Sequence, residues 1–137
     1  MKREGTKNNK NKMSSKVKLK IDGIQITAST GSTVLEAARK AGIYIPTLCY
    51  LENTTEYGGC RLCIVEIKKS RGYPTACTTP VSENMEIITK SPVLQMIRRN
   101  ILELLLSEHP YTCLVCADRE NCSEYMHTTR KVGITTG

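Results

Sequence analysis

Seven cysteines in 137 residues, in two spaced sets, restrict this chain more than any other feature. The first set is Cys49, Cys60, Cys63 and Cys77; the second is Cys113, Cys116 and Cys122, with His109 just ahead of it. An odd number of cysteines does not close into disulfides. No apolar run of signal-peptide length follows the basic N-terminus, and the longest unbroken apolar run, Cys113 to Ala117, is far short of a membrane span. A reducing, cytoplasmic setting is therefore expected, and there Cys-x-x-Cys pairs read as metal or redox sites.

In the first set, Gly58-Gly59 precedes Cys60-Arg61-Leu62-Cys63. A [2Fe–2S] cluster needs four thiolates, two on each iron. Glycines without a Cβ let backbone N–H groups approach its sulfides. Ten residues separate Cys49 from Cys60, where the plant-type spacing has four, so this loop encloses the centre less tightly and offers a surface that a partner could cover. The competing reading is a structural zinc site. Zinc ribbons join two Cys-x-x-Cys pairs, but pairing Cys60/Cys63 with Cys113/Cys116 would strand Cys49, Cys77 and Cys122. The second set supplies one imidazole and three thiolates, one ligand for each iron of a [4Fe–4S] cube. His109 has a plainer reading as a helix-end residue before Pro110, and His127 reads as a surface residue.

The +7 net charge belongs to the leader. Residues 1–20 hold eight basic residues against the single acid Glu4, and the rest of the chain balances. Residues 1–15 read as a disordered basic leader. A tail of this kind could touch nucleic acid, which gives an alternative function, a zinc-stabilised binding module. A neutral domain with no Trp, no Phe and six Tyr offers little for base stacking, so no nucleic-acid partner is expected.

From Lys16 the pattern is that of a folded unit, an α+β domain over residues 16–90. Val17, Leu19 and Ile21 alternate with lysines as a strand. Asp22-Gly23 suits a tight hairpin, and Ile24, Ile26 and Ala28 return. Ser32 or Thr33 caps a helix through Ala41, with Glu36 placed for a capping box, and Gly42 ends it. An extended segment delivers Cys49. Ile64, Val65 and Ile67 predict a strand, and Met85, Ile87 and Thr89 another. Ser91-Pro92 opens a second helix, whose apolar stripe reads as Leu94, Ile97, Ile101, Leu104 and Leu105, with Arg98, Arg99 and Glu103 off it. The second cysteine set falls in a 91–125 unit, and 126–137 reads as a polar tail or the truncated start of a further segment.

Four segments carry a family resemblance: Ile45-Pro46-Thr47-Leu48-Cys49, Gly59-Cys60-Arg61-Leu62-Cys63-Ile64-Val65-Glu66, Ala76-Cys77-Thr78-Thr79-Pro80-Val81 and His109-Pro110-Tyr111-Thr112-Cys113-Leu114-Val115-Cys116. Over roughly residues 16–125 the chain resembles the N-terminal region of the large iron–sulfur subunit of respiratory complex I. That region also occurs in [FeFe]-hydrogenases, NAD-linked hydrogenases and some formate dehydrogenases. The resemblance implies a β-grasp, ferredoxin-like [2Fe–2S] domain held by Cys49, Cys60, Cys63 and Cys77. It implies a following helix and a [4Fe–4S] segment held by His109, Cys113, Cys116 and Cys122. Relatives often carry a glycine shortly before the last of these cysteines; Ala117 to Asn121 is bulkier and more charged. Full-length relatives continue into catalytic domains, so this chain reads as a small subunit or a fragment.

No nucleotide-binding glycine fingerprint and no nucleophile–base pair is present. The expected function is therefore electron transfer within an oxidoreductase complex, with no catalysis by the chain alone. The resemblance suggests a flavoprotein oxidising NAD(P)H, or a ferredoxin, as donor. The acceptor it suggests is a catalytic subunit such as a hydrogenase or formate dehydrogenase.

Overall fold

The computed structural model describes residues 15–109, 122, 132 and 133. The expectations for the leader, for Cys113 and Cys116 and for most of the tail lie outside these residues.

The hairpin forms as the alternation dictates. β1 (Lys16–Ile21) pairs antiparallel with β2 (Ile24–Ser29), closing on Ile21 opposite Ile24. The two turn residues both take positive φ, Asp22 at 51° and Gly23 at 83°, as a tight primed hairpin turn requires. The Asp22 carboxylate also does long-range work. It accepts from the backbone N–H of Thr89 at 2.7 Å and the Thr89 hydroxyl at 2.5 Å.

α1 (Val34–Lys40) starts where its capping box predicts. Thr33 Oγ1 accepts from the Glu36 N–H at 3.3 Å, and Glu36 Oε2 accepts from the Thr33 N–H at 2.9 Å. Two orphan donors of the first turn are thereby satisfied. β3 (Glu66–Ile67) and β4 (Glu86–Ile88) complete a four-stranded mixed sheet in the order β2-β1-β4-β3. β1 and β4 run parallel at its centre. β3 is shorter than the apolar run suggested: Ile64 leaves the ladder to make a lone bridge with Thr75, and the Val65 N–H donates to Pro74 O at 3.0 Å, so this stretch pairs with the 74–76 segment. The core lies between the sheet (Leu19, Ile21, Ile87) and α1 (Val34, Leu35, Ala38), and it includes Cys63 and Cys77.

α2 (Pro92–Ser107) is capped by Ser91, whose Oγ accepts from the Leu94 N–H at 3.2 Å. The same hydroxyl donates to the Glu66 carboxylate, which ties the helix start to β3. Here the expected stripe is corrected. The buried line is Leu94, Arg98 and Leu102, whereas Leu104 is 70% exposed. The helix is rotated from the reading of apolar spacing because Arg98 faces inward and meets backbone carbonyls.

Candidate metal centre

The four cysteines of the first set come from three chain segments, and a separate anchor holds each. The Cys49 segment is held by Arg39 of α1. Its guanidinium donates to Thr47 Oγ1 at 3.2 Å, lies 4.4 Å from the Tyr50 ring centroid and reaches Glu52 at 3.9 Å. One side chain therefore grips both flanks of Cys49. The Cys77 segment is held by the N-terminal turn of α1, where the backbone N–H groups of Val34 and Leu35 donate to Thr79 O and Ala76 O, each at 2.9 Å. The Ala76 N–H donates in turn to Cys63 O at 2.8 Å, which places Cys77 beside Cys63.

Arg98 holds the Cys60–Cys63 segment. It is 4% exposed. Its Nε donates to Leu62 O at 3.1 Å, Nη2 to Ile64 O at 2.6 Å and Nη1 to Thr89 O at 2.9 Å. Leu62 and Ile64 flank Cys63, so this arginine locks the backbone on both sides of that cysteine. Sequence reasoning missed it, since its partners are main-chain oxygens that leave no mark in a residue pattern.

The sulfurs are arranged in two pairs. Cys63 Sγ lies 3.3 Å from Cys77 Sγ, with both residues buried. The other pair is Cys49 with Cys60, whose backbone N–H donates to Cys49 Sγ at 3.4 Å. Both of these are half-buried. Among the described residues, no three His, Cys, Asp or Glu side chains converge on a point that one metal ion could fill. Two pairs of cysteines suit two irons with two thiolates each.

Burial pushes the Cys63 thiol up to about 12, with Cys77 adding to the rise through its side chain. Burial also raises Cys49. Cys60 differs: burial acts upward, but backbone hydrogen bonds from Leu62, Cys49 and Leu48 outweigh it and bring the thiol below its ordinary value. A preformed nest of N–H donors around Cys60 stabilises thiolate, the form that binds iron.

The glycines ahead of Cys60 have different roles. Gly58 has φ +64°, and a Cβ there would lie 3.2 Å from Thr75 Oγ1 and 3.3 Å from Thr78 Cγ2. Gly59 lies under the Tyr57 ring, 2.1 Å from where a Cβ would stand. The α2 side of the centre is a small second core of Leu62, Leu102 and Val132, against which Leu48 and Cys60 pack. The cysteine pairs thus straddle the boundary between the two cores.

Of the second set, His109 and Cys122 are among the described residues. His109 is exposed just beyond α2, its N–H donating to Leu106 O at 3.0 Å, and Cys122 is half-buried. No helix among the described residues is long and apolar enough to cross a membrane.

Residues 14–92 match the family described as 2Fe-2S iron-sulfur cluster binding domain. Residues 98–123 match the NADH-ubiquinone oxidoreductase-G iron-sulfur binding region. The chain is 38% identical over 102 residues to the NADH-ubiquinone oxidoreductase 75 kDa subunit of Reclinomonas americana, covering 74% of this chain and 15% of that protein. It is 44% identical over 106 residues to the NADPH-Fe(3+) oxidoreductase subunit alpha of Geobacter sulfurreducens, covering 77% and 13%. It is 44% identical over 107 residues to the NADP-reducing hydrogenase subunit HndD of Solidesulfovibrio fructosivorans, covering 74% and 18%. The chain thus spans less than a fifth of the length of these relatives. Among solved structures, it resembles a chain of an NAD+-reducing [NiFe]-hydrogenase in the H2-reduced state. The TM-score there is 0.78 with 33% identity, over 87% of this chain and 50% of that one.

Proposed function

Because this chain belongs to the 2Fe-2S iron–sulfur cluster binding family and carries a [4Fe–4S]-binding region after that domain, we propose that it relays single electrons between subunits of an oxidoreductase complex. The observation that carries the proposal is the two-pair arrangement. Cys49 and Cys60 hold one iron of a [2Fe–2S] cluster, and Cys63 and Cys77 hold the other. The mixed sheet with α1 packed on it is then the β-grasp of a ferredoxin-type domain. A cluster bound there supplies one-electron chemistry. The protein's part is to keep four sulfurs in place, exclude water from the Cys63 side and leave the Cys49 side nearer the surface.

His109, Cys113, Cys116 and Cys122 hold the [4Fe–4S] cluster, and α2 is the spacer between the two centres. An imidazole in place of a thiolate leaves that cluster less negative. Electrons arrive from a flavoprotein oxidising NAD(P)H or from a ferredoxin. They leave to a catalytic subunit such as a hydrogenase or formate dehydrogenase, in the cytoplasm.

Anaerobic purification with metal analysis and electron paramagnetic resonance tests this reading. About six irons per chain and two distinguishable cluster signals are expected. Colourless protein holding only zinc after reconstitution would overturn it.

A further inference from the structure

Arg98 is a buried cation whose hydrogen-bond partners are neutral. It is 4% exposed, and all three of its hydrogen bonds go to carbonyl oxygens. Among the described residues it makes no ion pair. Burying a charge without a counter-charge is costly. Desolvation accordingly lowers the guanidinium from its ordinary value, and the groups that oppose this are Cys63, then Asp22 and Tyr44. A centre ligated by four thiolates would supply the missing negative charge beside it.

We infer that Arg98 raises the reduction potential of the [2Fe–2S] centre, as a positioning residue that locks Cys63 through the Leu62 and Ile64 carbonyls and sets a fixed positive charge beside the cluster. The inference rests on the [2Fe–2S] reading above. The cluster gains one negative charge when it takes one electron, so a nearby cation stabilises the reduced form more than the oxidised form. Net charge and hydrogen bonding are the protein's main controls on such potentials. At an effective dielectric of about 20, unit charges on the order of 8 Å apart change an equilibrium by roughly thirtyfold. Asp22 acts in the opposite direction: it faces Thr89, which accepts from Arg98 through its carbonyl, and its negative charge offsets part of the arginine's field.

The test is a potentiometric titration of the full cluster-loaded chain, with dithionite as electron donor through mediators, followed by electron paramagnetic resonance. Arg98→Gln is expected to weaken reduction of the [2Fe–2S] centre roughly thirtyfold, which is about 90 mV at about 59 mV per tenfold for a one-electron couple. Arg98→Lys keeps the charge and should stay near the wild-type potential even if less cluster is retained. An unchanged potential in Arg98→Gln with the cluster present overturns the inference. If Arg98→Gln holds no cluster, Arg98→Lys decides: a potential near the wild-type value supports the inference, and a clearly lowered one overturns it. The wild-type signal itself tests the underlying [2Fe–2S] reading, so the two failures are distinguishable.

Discussion

Gly58→Ala isolates what the glycine pair before Cys60 contributes. Two costs arise at this position. The backbone sits at φ +64°, where an L-residue with a Cβ is disfavoured by roughly 1–2 kcal/mol. The new methyl also meets Thr75 Oγ1 at 3.2 Å and Thr78 Cγ2 at 3.3 Å. Thr78 is exposed and can yield, but Thr75 is 4% exposed. Thr75 is further held by its bridge to Ile64 and by a 2.5 Å hydroxyl contact with Thr78. That crowding adds about 1 kcal/mol, the low end for an inserted methyl. Reduced freedom of the unfolded chain returns roughly 0.4–1 kcal/mol. The net loss is about 2 kcal/mol, which for a domain of this size lowers the melting temperature by roughly 8–16 °C. Gly59→Ala is the control. Its clash is with the Tyr57 ring, a side chain 74% exposed and free to swing aside, so a shift of a few degrees at most is expected. Thermal unfolding of the cluster-loaded chain under anaerobic conditions, read by circular dichroism and visible absorbance, compares the two. A shift below about 2 °C in Gly58→Ala, or a larger effect at Gly59, would refute the reasoning.

Other substitutions probe the rest of the site. Cys60→Ser should remove or alter the [2Fe–2S] resonance and spare the second cluster; two unchanged signals would disprove the ligand assignment. His109→Ala should perturb the [4Fe–4S] signal alone, and an unaltered spectrum would return His109 to the role of a helix-end residue. Leu102→Ala, at a fully buried position against Leu62, should cost about 2–5 kcal/mol in denaturant unfolding, whereas Leu104→Ala, on the exposed face, should cost little. Lys68, by hydrogen bond and charge, holds the Glu86 carboxylate below the usual carboxylate range. A lowered folded value means the contribution is present above the unfolded carboxylate pKa and fades as pH falls through the folded one. Glu86→Gln should therefore flatten the acid limb of the stability profile slightly, and an unchanged limb would show the pair contributes nothing.

Local chemistry made much of this molecule readable from its residues. The Asp22-Gly23 turn, the Thr33/Glu36 capping box and the Ser91-Pro92 helix start are each decided within a few positions, and the structure forms all three. Periodicity failed on α2, because the method assigns charged residues to the solvent side. Arg98 defeats it by finding three carbonyl oxygens inside, and the buried line passes through Leu102 and not Leu104. The candidate ligand cysteines were legible by type and spacing. Their grouping into pairs was not, since it depends on which segments α1 and Arg98 bring together.

The central parallel pairing of β1 with β4 has a consequence for assembly. Lys20 lies opposite Glu86, so every residue of the first cysteine set falls inside the stretch of chain that must loop out and return before the sheet is complete. Closing a long excursion carries an entropic penalty that depends on the free length. A cluster joining Cys49, Cys60, Cys63 and Cys77 would shorten that free length, as a cross-link would. Iron delivery and completion of the sheet should then be one cooperative event. Before it, the chain is expected to hold its hairpin and lack the β4–β3 half of the sheet, and that half-made sheet is the form an iron donor would meet.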